Sequence, residues 1–357
     1  MHACTEVPRR QMCTAASSTL PPAAADAITG VLPVDIIQFN ILTCLDGPTL
    51  AAASCVSSQL RQLSVRDTLW ADVCQSTWPS TNDPRTLAAI SAFPGGHRSF
   101  FSDSYSLPAV SGHDFADVRS STPAEIISAV DIHHRGKLIF SQVVASETVT
   151  AWFKCSPFRI DMLEPKEVVP TPVPYPDTDH ECRQLGDGLT LSWIVIDPAA
   201  RRAANVSSRR PVSVIRHWLS GEVHARFATV LPGEIRSGSS SEFVECGAVV
   251  TCGGSWGGDL QVIEVSLQVE DMDGKFLNGR ESLAVLRRAL AGGRRTPSGV
   301  GRGDEVRRMH EEFQRMKMER KERRLRAEGT LDMICVALGF FLLISLLVLC
   351  IITFCRW

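Results

Sequence analysis

The sequence predicts a multidomain α+β chain. It should hold a small unit of three helices, an antiparallel β-rich domain of sandwich type, a charged helix and one C-terminal transmembrane helix. Three observations predict this. Apolar residues recur at helical spacing between positions 31 and 75. From roughly 125 to 269 the apolar repeat becomes two. The run "MICVALGFFLLISLLVLCIITF", Met333 to Phe354, is about 22 residues without a charge, enough to cross a roughly 30 Å hydrocarbon layer as a helix.

The bulk numbers fit that outline. A length of 357 residues leaves room for two modest domains and their connectors. At 44% hydrophobic and 21% charged the chain reads as globular. A net charge of −2 points to no nucleic-acid partner. Twelve cysteines are many, but none forms a CxxC pair, so no zinc knuckle and no other cofactor is expected.

Residues 1–30 read as a disordered leader without the apolar stretch of a secretory signal. The motif of residues 31–76 comes next. Pro33 suits a first helical turn, and Ile36, Ile37, Ile41, Leu42 and Leu45 recur at helical spacing. Asp46, Gly47 and Pro48 stop that helix and start the next, which Leu50 and Ala53 continue. Val56, Leu60 and Leu63 mark a third. Residues 77–110 are cut into short helices by Pro84, Pro94 and Gly95-Gly96. Phe93, Phe100, Phe101 and Tyr105 are expected to pack this extension onto the helices before it.

Residues 120–291 carry the strands. "LTLSWIVIDP" alternates Leu189, Leu191, Trp193 and Val195 against Thr190 and Ser192, and "QVIEVSLQVED" repeats the pattern with Ile263, Val265, Leu267 and Val269. The proline-rich stretch 164–179 is expected to be a loop. "SLAVLRRALAGG" reads as a closing helix, and 292–303 as a linker. In the charged helix, 304–330, Val306, Met309, Phe313 and Met316 keep 3-4-3 spacing for about two heptads before Arg320 and Arg323 replace them. A solvated stalk is expected there rather than a coiled coil. Residues 331–355 are the transmembrane anchor. The Lys/Arg-rich side lies upstream of it, so the body should face the cytosol.

Motifs that carry chemistry are thin. "GGSWG", Gly253 to Gly257, fits a nucleophile-elbow pattern, but a strand rather than a helix should follow Ser255. "DMDG", Asp271 to Gly274, lacks the later ligands of a calcium loop. His133-His134 and "HEC" (His180 to Cys182) have no second ligand pair and read as exposed loop residues. No phosphate loop is present. The expectation is a non-catalytic protein.

The stretch from Leu32-Pro33 through Asp35, Ile36, Ile37, Ile41, Leu42 and Leu45 to Asp46, Pro48 and Leu50 resembles the F-box motif, and so do Val56, Leu63 and Trp70 at its end. Two positions depart from the family pattern. Gly47 precedes Pro48, and Ser57, Ser58, Gln59 and Leu60 stand where many members carry cysteine and a basic-Trp pair. Residues 78–105 look like a subgroup of plant F-box proteins, some also ending in a hydrophobic segment. The β-rich domain is faintly similar to phloem lectin-like domains. About 40 residues cannot normally bury a sufficient core alone, so apolar surface is left for a partner.

The resemblance names that partner as the small adaptor subunit of SCF-type ubiquitin ligases and, through it, the cullin. It implies adaptor contacts at Leu32, Pro33, Ile36, Ile37, Ile41, Leu42, Leu45, Leu50, Val56, Leu63 and Trp70. It further implies an unknown protein target for the β-rich domain and a membrane for the tail. The alternative is a membrane-tethered lectin-like or protein-binding module outside any ligase.

Overall fold

The computed structural model describes residues 32–108, 123–233, 243–255, 257–291, 295–296 and 302–356. The leader at 1–30 and most of the linker at 292–303 lie outside them. The chain divides into two units, Met1–Val73 and Cys74–Trp357. The first holds α1 (Val34–Cys44), α2 (Gly47–Ala53), α3 (Ser58–Ser64) and the start of α4 (Asp67–Thr77).

The second unit continues with a 3-10 turn at Pro79–Asn82, α5 (Pro84–Ser91) and α6 (Gly96–Tyr105). A short strand β1 (Leu107–Pro108) follows. Alternating apolar residues then build two antiparallel sheets. The smaller has the order β3-β2-β6-β7, from β2 (Glu125–His134), β3 (Lys137–Glu147), β6 (Leu189–Asp197) and β7 (Arg202–Asn205). The larger has the order β4-β11-β10-β9-β8, with β5 also paired to β11. Its members are β4 (Arg159–Asp161), β5 (Val169–Pro174), β8 (Ser213–Arg216), β9 (Val223–Pro232), β10 (Phe243–Gly253) and β11 (Asp259–Asp271). Helices α7 (Ala151–Cys155), α8 (Asp179–Gly188) and α9 (Gly279–Ala291) lie between strands or after them. β12 (Arg295–Thr296) pairs with β1, and α10 (Arg302–Cys355) ends the described chain.

Both sheets feed one apolar core. Val130, Trp193 and Val195 from the smaller sheet join Phe227, Ala248 and Val265 from the larger, and α9 adds Leu283, Leu286 and Leu290. Trp193 is fully buried, and its indole donates to Ser128 Oγ at 3.2 Å, so no polar atom is stranded there. Cys246 and Cys252 belong to this core. Burial pushes both thiols up to about 12, which makes them packing groups and not nucleophiles. The β2–β3 hairpin turns on Arg135 and Gly136, with φ of 49° and 78°, as a tight two-residue turn matched to strand twist requires.

Three expectations change. Residues 77–105 of the expected extension dock on the smaller sheet. Ser80 donates from its backbone N–H to Asp131 Oδ1 at 2.9 Å and from its hydroxyl to Oδ2 at 2.5 Å. Ser141 adds a third bond to the same carboxylate at 2.7 Å. Burial pushes the Asp131 carboxyl up, against the pull of these bonds. Trp78 donates to Ser192 Oγ at 3.1 Å, and the rings of Phe100 and Phe101 pack on Trp78. The extension thus answers to buried polar groups of the sheet, which helical periodicity does not reveal.

The proline-rich stretch is not wholly a loop. β5 pairs with β11 through Val169, Pro170 and Pro174. Prolines are tolerated there because β5 has a neighbour on one side only.

The third change concerns α10. Its first part is docked on the larger sheet, not solvated. Phe313 is 0% exposed and packs with Val230 and Met272, flanked by Phe243 and Met316. Glu245 and Glu270 stand directly opposite each other on β10 and β11, a repulsive pairing unless neutralised. Arg226 Nη2 meets Glu245 at 2.6 Å, and Lys317 Nζ meets Glu270 at 2.6 Å. Gln314 donates to Glu245 at 2.7 Å, and Arg320 reaches Asp273 at 2.8 Å. The helix therefore supplies an apolar plug and the Lys317 charge that Glu270 needs, while β9 supplies Arg226 to Glu245. Beyond Arg320 its side chains are exposed to the end. Among the described residues α10 is the one helix long and apolar enough to cross a membrane.

Candidate docking surface

The amino-terminal unit is built from caps. Pro33 precedes α1, and its carbonyl accepts from Ile36 and Ile37 at 3.0 and 3.2 Å. Within α1 the backbone widens to a π-type turn over Ile37–Ile41, closed by Leu42 N–H bonding to the Ile37 carbonyl, then tightens to a 3-10 turn over Leu42–Cys44. Such turns rotate the side chains that follow relative to a regular helix. Asp46 caps α2 by accepting from Thr49 N at 2.9 Å, and Pro48 sits in the first turn where no N–H is required. The bonds from Thr49 hold the Asp46 carboxyl below its ordinary range.

Ser57 caps α3, accepting from Leu60 N at 3.2 Å. The serine that departs from the family pattern therefore has a structural use. Arg61 ties α3 to α2 through the Ser54 carbonyl at 3.3 Å, and Trp70 donates to the Ser64 carbonyl at 2.7 Å.

The eleven residues singled out from the sequence divide into two groups. Ile37, Leu42, Leu50, Leu63 and Trp70 are buried. Each contributes about 1.5–3 kcal/mol by leaving water, and none of them offers surface to a partner. Leu32, Pro33, Ile36, Ile41 and Val56 are exposed, and Leu45 is half-buried. Burial separates them because the π-type turn sets Ile37 and Leu42 inward while Ile36 and Ile41, their chain neighbours, remain outside.

Phe39 is 63% exposed, and Val34 at the start of α1 is exposed as well. Leu32, Val34, Ile36, Phe39 and Ile41 thus place five large apolar side chains in water within ten residues. Folded monomers rarely leave that much apolar surface on one short helix without a use for it. Exposed apolar anchors on one helix are what a helix lays into a partner's groove.

An F-box-like family model matches residues 29–76. Over 336 residues the chain is 46% identical to the probable F-box protein At2g36090 of Arabidopsis thaliana, across 94% of this chain and 97% of that one. The chain belongs to the plant F-box family. Its similarity runs well past the F-box. It is 42% identical to the Arabidopsis F-box protein At2g27310, over 91% of this chain and 98% of the relative. A third relative, the Arabidopsis F-box protein At3g44326, is 43% identical over 80% of this chain and 81% of its own. No solved structure matches the chain significantly.

Within this F-box, Phe39 and Val34 escaped the sequence reading. Phe39 is out of step with the 36–37–41–42–45 spacing, so a search for the inward stripe passes over it. An aromatic residue off the stripe was the signal available.

The other motifs resolve as structural parts. Ser255 lies in the hairpin connection between β10 and β11, where Gly258 N–H bonds to its carbonyl at 2.9 Å. Asp271 ends β11 and accepts from Asp273 and Lys275 N–H at 2.9 Å each, making a turn. His133 and His134 end strand β2, half-buried, and are not exposed loop residues as expected. "HEC" lies on α8, where Glu181 and Thr178 form a reciprocal capping box and Cys182 is buried. Their pattern hid this because a capped first turn of polar residues reads like a polar loop.

Proposed function

We propose that this F-box protein is the substrate-recognition subunit of an SCF-type cullin-RING ubiquitin ligase. Its F-box docks the small adaptor subunit and, through it, the cullin. The sheet domain engages a target protein. The apolar part of α10 tethers the assembly at a membrane with the body on the cytosolic side. The receptor performs no covalent chemistry. It raises the concentration of target beside the ubiquitin-loaded enzyme and leaves bond making to that enzyme.

The observation that carries this reading is the exposed row Leu32, Ile36, Phe39 and Ile41 on a unit whose buried residues hold it in place. The adaptor contacts are assigned to Leu32, Pro33, Val34, Ile36, Phe39, Ile41, Leu45 and Val56. Ile37, Leu42, Leu50, Leu63 and Trp70 act by holding that surface. The test is co-purification of adaptor and cullin with the full chain in detergent. Leu32→Ala with Pro33→Ala is expected to remove both partners. Retention of cullin by the double variant would sink the reading.

The tether has a separate test. The run from Met333 to Phe354 is exposed on every side and carries no charge. A chain cut after Gly329 is expected to move from the membrane pellet to the soluble fraction. A cut chain that still pellets, and resists salt and carbonate washes, would remove the tether from the proposal.

A further inference from the structure

A cavity of about 260 Å³ opens on the sheet unit, between the segment Thr77–Tyr105 and strands β2, β6 and β7. Its wall is rich in hydrogen-bond donors. Arg209 lines it and is exposed, with no ion pair among the described residues. His133 lines it from the end of β2. Burial holds that imidazole below its ordinary range, Asp131 pulling it up and Arg209 pushing it down. No carboxylate lines the cavity among the described residues.

Three neutral groups complete the picture. Asn205 Oδ1 accepts from Trp193 N at 3.3 Å, Ser207 N at 3.2 Å and Ser207 Oγ at 3.0 Å. Three donors on one oxygen fix the amide orientation and leave both Nδ2 hydrogens unused among the described residues. Ser192 Oγ accepts from Trp78, so its own proton is available. Ser104 is fully buried and lines the cavity, yet its hydroxyl has no hydrogen-bond partner among the described residues. A buried hydroxyl without a partner is costly and calls for an explanation. A ligand oxygen in this cavity supplies one.

Charge and size narrow the ligand. A guanidinium, an imidazole, an amide and two hydroxyls with no opposing carboxylate select an anion with several acceptor oxygens. The volume lies below the roughly 300–1,000 Å³ of pockets for drug-sized ligands. A phosphate monoester has three strong acceptor oxygens on one compact group, and arginine meets it with a matching fork.

We propose that this cavity is a recognition pocket for a phosphate monoester. The group comes either from a phosphorylated serine of a protein or from a small free phosphate. The pocket lies outside the F-box and does not depend on adaptor docking, so either assignment stands if the other fails.

The test is calorimetric titration of the detergent-solubilised full chain with three probes: inorganic phosphate, a capped Gly-phosphoserine-Gly peptide, and the same peptide unphosphorylated. Saturable binding of at least one phosphate probe is expected, with none for the unphosphorylated peptide. Arg209→Ala should weaken it at least tenfold. Arg210→Ala, which removes the exposed neighbouring arginine, should leave it unchanged. Tighter binding of the phosphopeptide assigns the protein-borne source, and equal or tighter binding of inorganic phosphate assigns the small one. The proposal is overturned if neither phosphate probe saturates, if both peptides bind alike, or if Arg210→Ala weakens binding as much as Arg209→Ala. Ser104→Ala, which deletes one buried hydroxyl and opens little space, gives a second reading. Its thermal midpoint should not fall, because the hydroxyl makes no hydrogen bond among the described residues, while phosphate affinity should fall.

Discussion

Replacing Ile36 and Phe39 together by aspartate is expected to lower adaptor affinity at least about a hundredfold while leaving the thermal midpoint of the chain little changed. Both side chains are exposed in the free chain, so the fold loses almost nothing when they are removed. At an interface, central apolar anchors each contribute about 2 kcal/mol or more, and 1.4 kcal/mol is tenfold in affinity. Two aspartates also carry charge into a groove that must shed water to bind. The buried set should behave in the opposite order. Leu42→Ala is expected to cost about 2–5 kcal/mol of stability, with adaptor binding lost only as the F-box loosens. Surface plasmon resonance against immobilised adaptor, beside thermal unfolding of the same samples, separates the two groups. If the double aspartate variant binds as well as the parent chain, the α1 row is not the docking surface. If it unfolds, those residues are not free surface.

The second large effect is expected at Phe313. Truncating this fully buried ring to alanine removes the plug between α10 and the larger sheet, at a cost of about 3–5 kcal/mol. The docked part of the helix then detaches while both sheets stay folded. Hydrogen exchange should show residues 305–320 losing protection, with strands β9 to β11 largely retaining theirs. Unchanged protection in Phe313→Ala would mean that the ion pairs alone hold the helix.

Acid should act at the same contact. Burial raises the Glu245 carboxyl, but His310, 3.6 Å away, and the Arg226 guanidinium outweigh it, and the net shift is below the ordinary 4.5. A depressed carboxylate stabilises the docked state fully above its unfolded value and loses that contribution as pH falls through the folded one. Docking is therefore expected to weaken as pH falls below about 4.5 and Glu245 takes up its proton. With the helix docked, about 13 residues separate Arg320 from Met333. At 1.5 Å per residue, that holds the sheet domain roughly 20 Å from the start of the apolar run.

Much of this was legible in residues. Period-two alternation in "LTLSWIVID" and "QVIEVSLQVED" announced β6 and β11, because one face of each strand had to meet a core. The break at Asp46-Gly47-Pro48 and the uncharged tail act locally, so local sequence reveals them. The F-box was readable from the ordered matches between Leu32 and Trp70. Other features were not. Asp131 gathers Ser80 from a distant part of the chain, and no local pattern tells that residues 77–105 belong to the sheet. Val306, Met309, Phe313 and Met316 showed that α10 has an apolar stripe. They did not show that Glu245 and Glu270 wait opposite it.

The sequence by itself determined the main helices and strands, their order, the F-box and the apolar run at the carboxyl end. Each of these follows from spacing, capping or composition along a continuous stretch. Only the tertiary structure decided which apolar residues of α1 are interior and which are surface. The same holds for the seating of Phe313 and for the carboxylates neutralised by Arg226 and Lys317. Those outcomes depend on which distant groups remove a side chain from water or share its charge, and periodicity along the chain is silent about both.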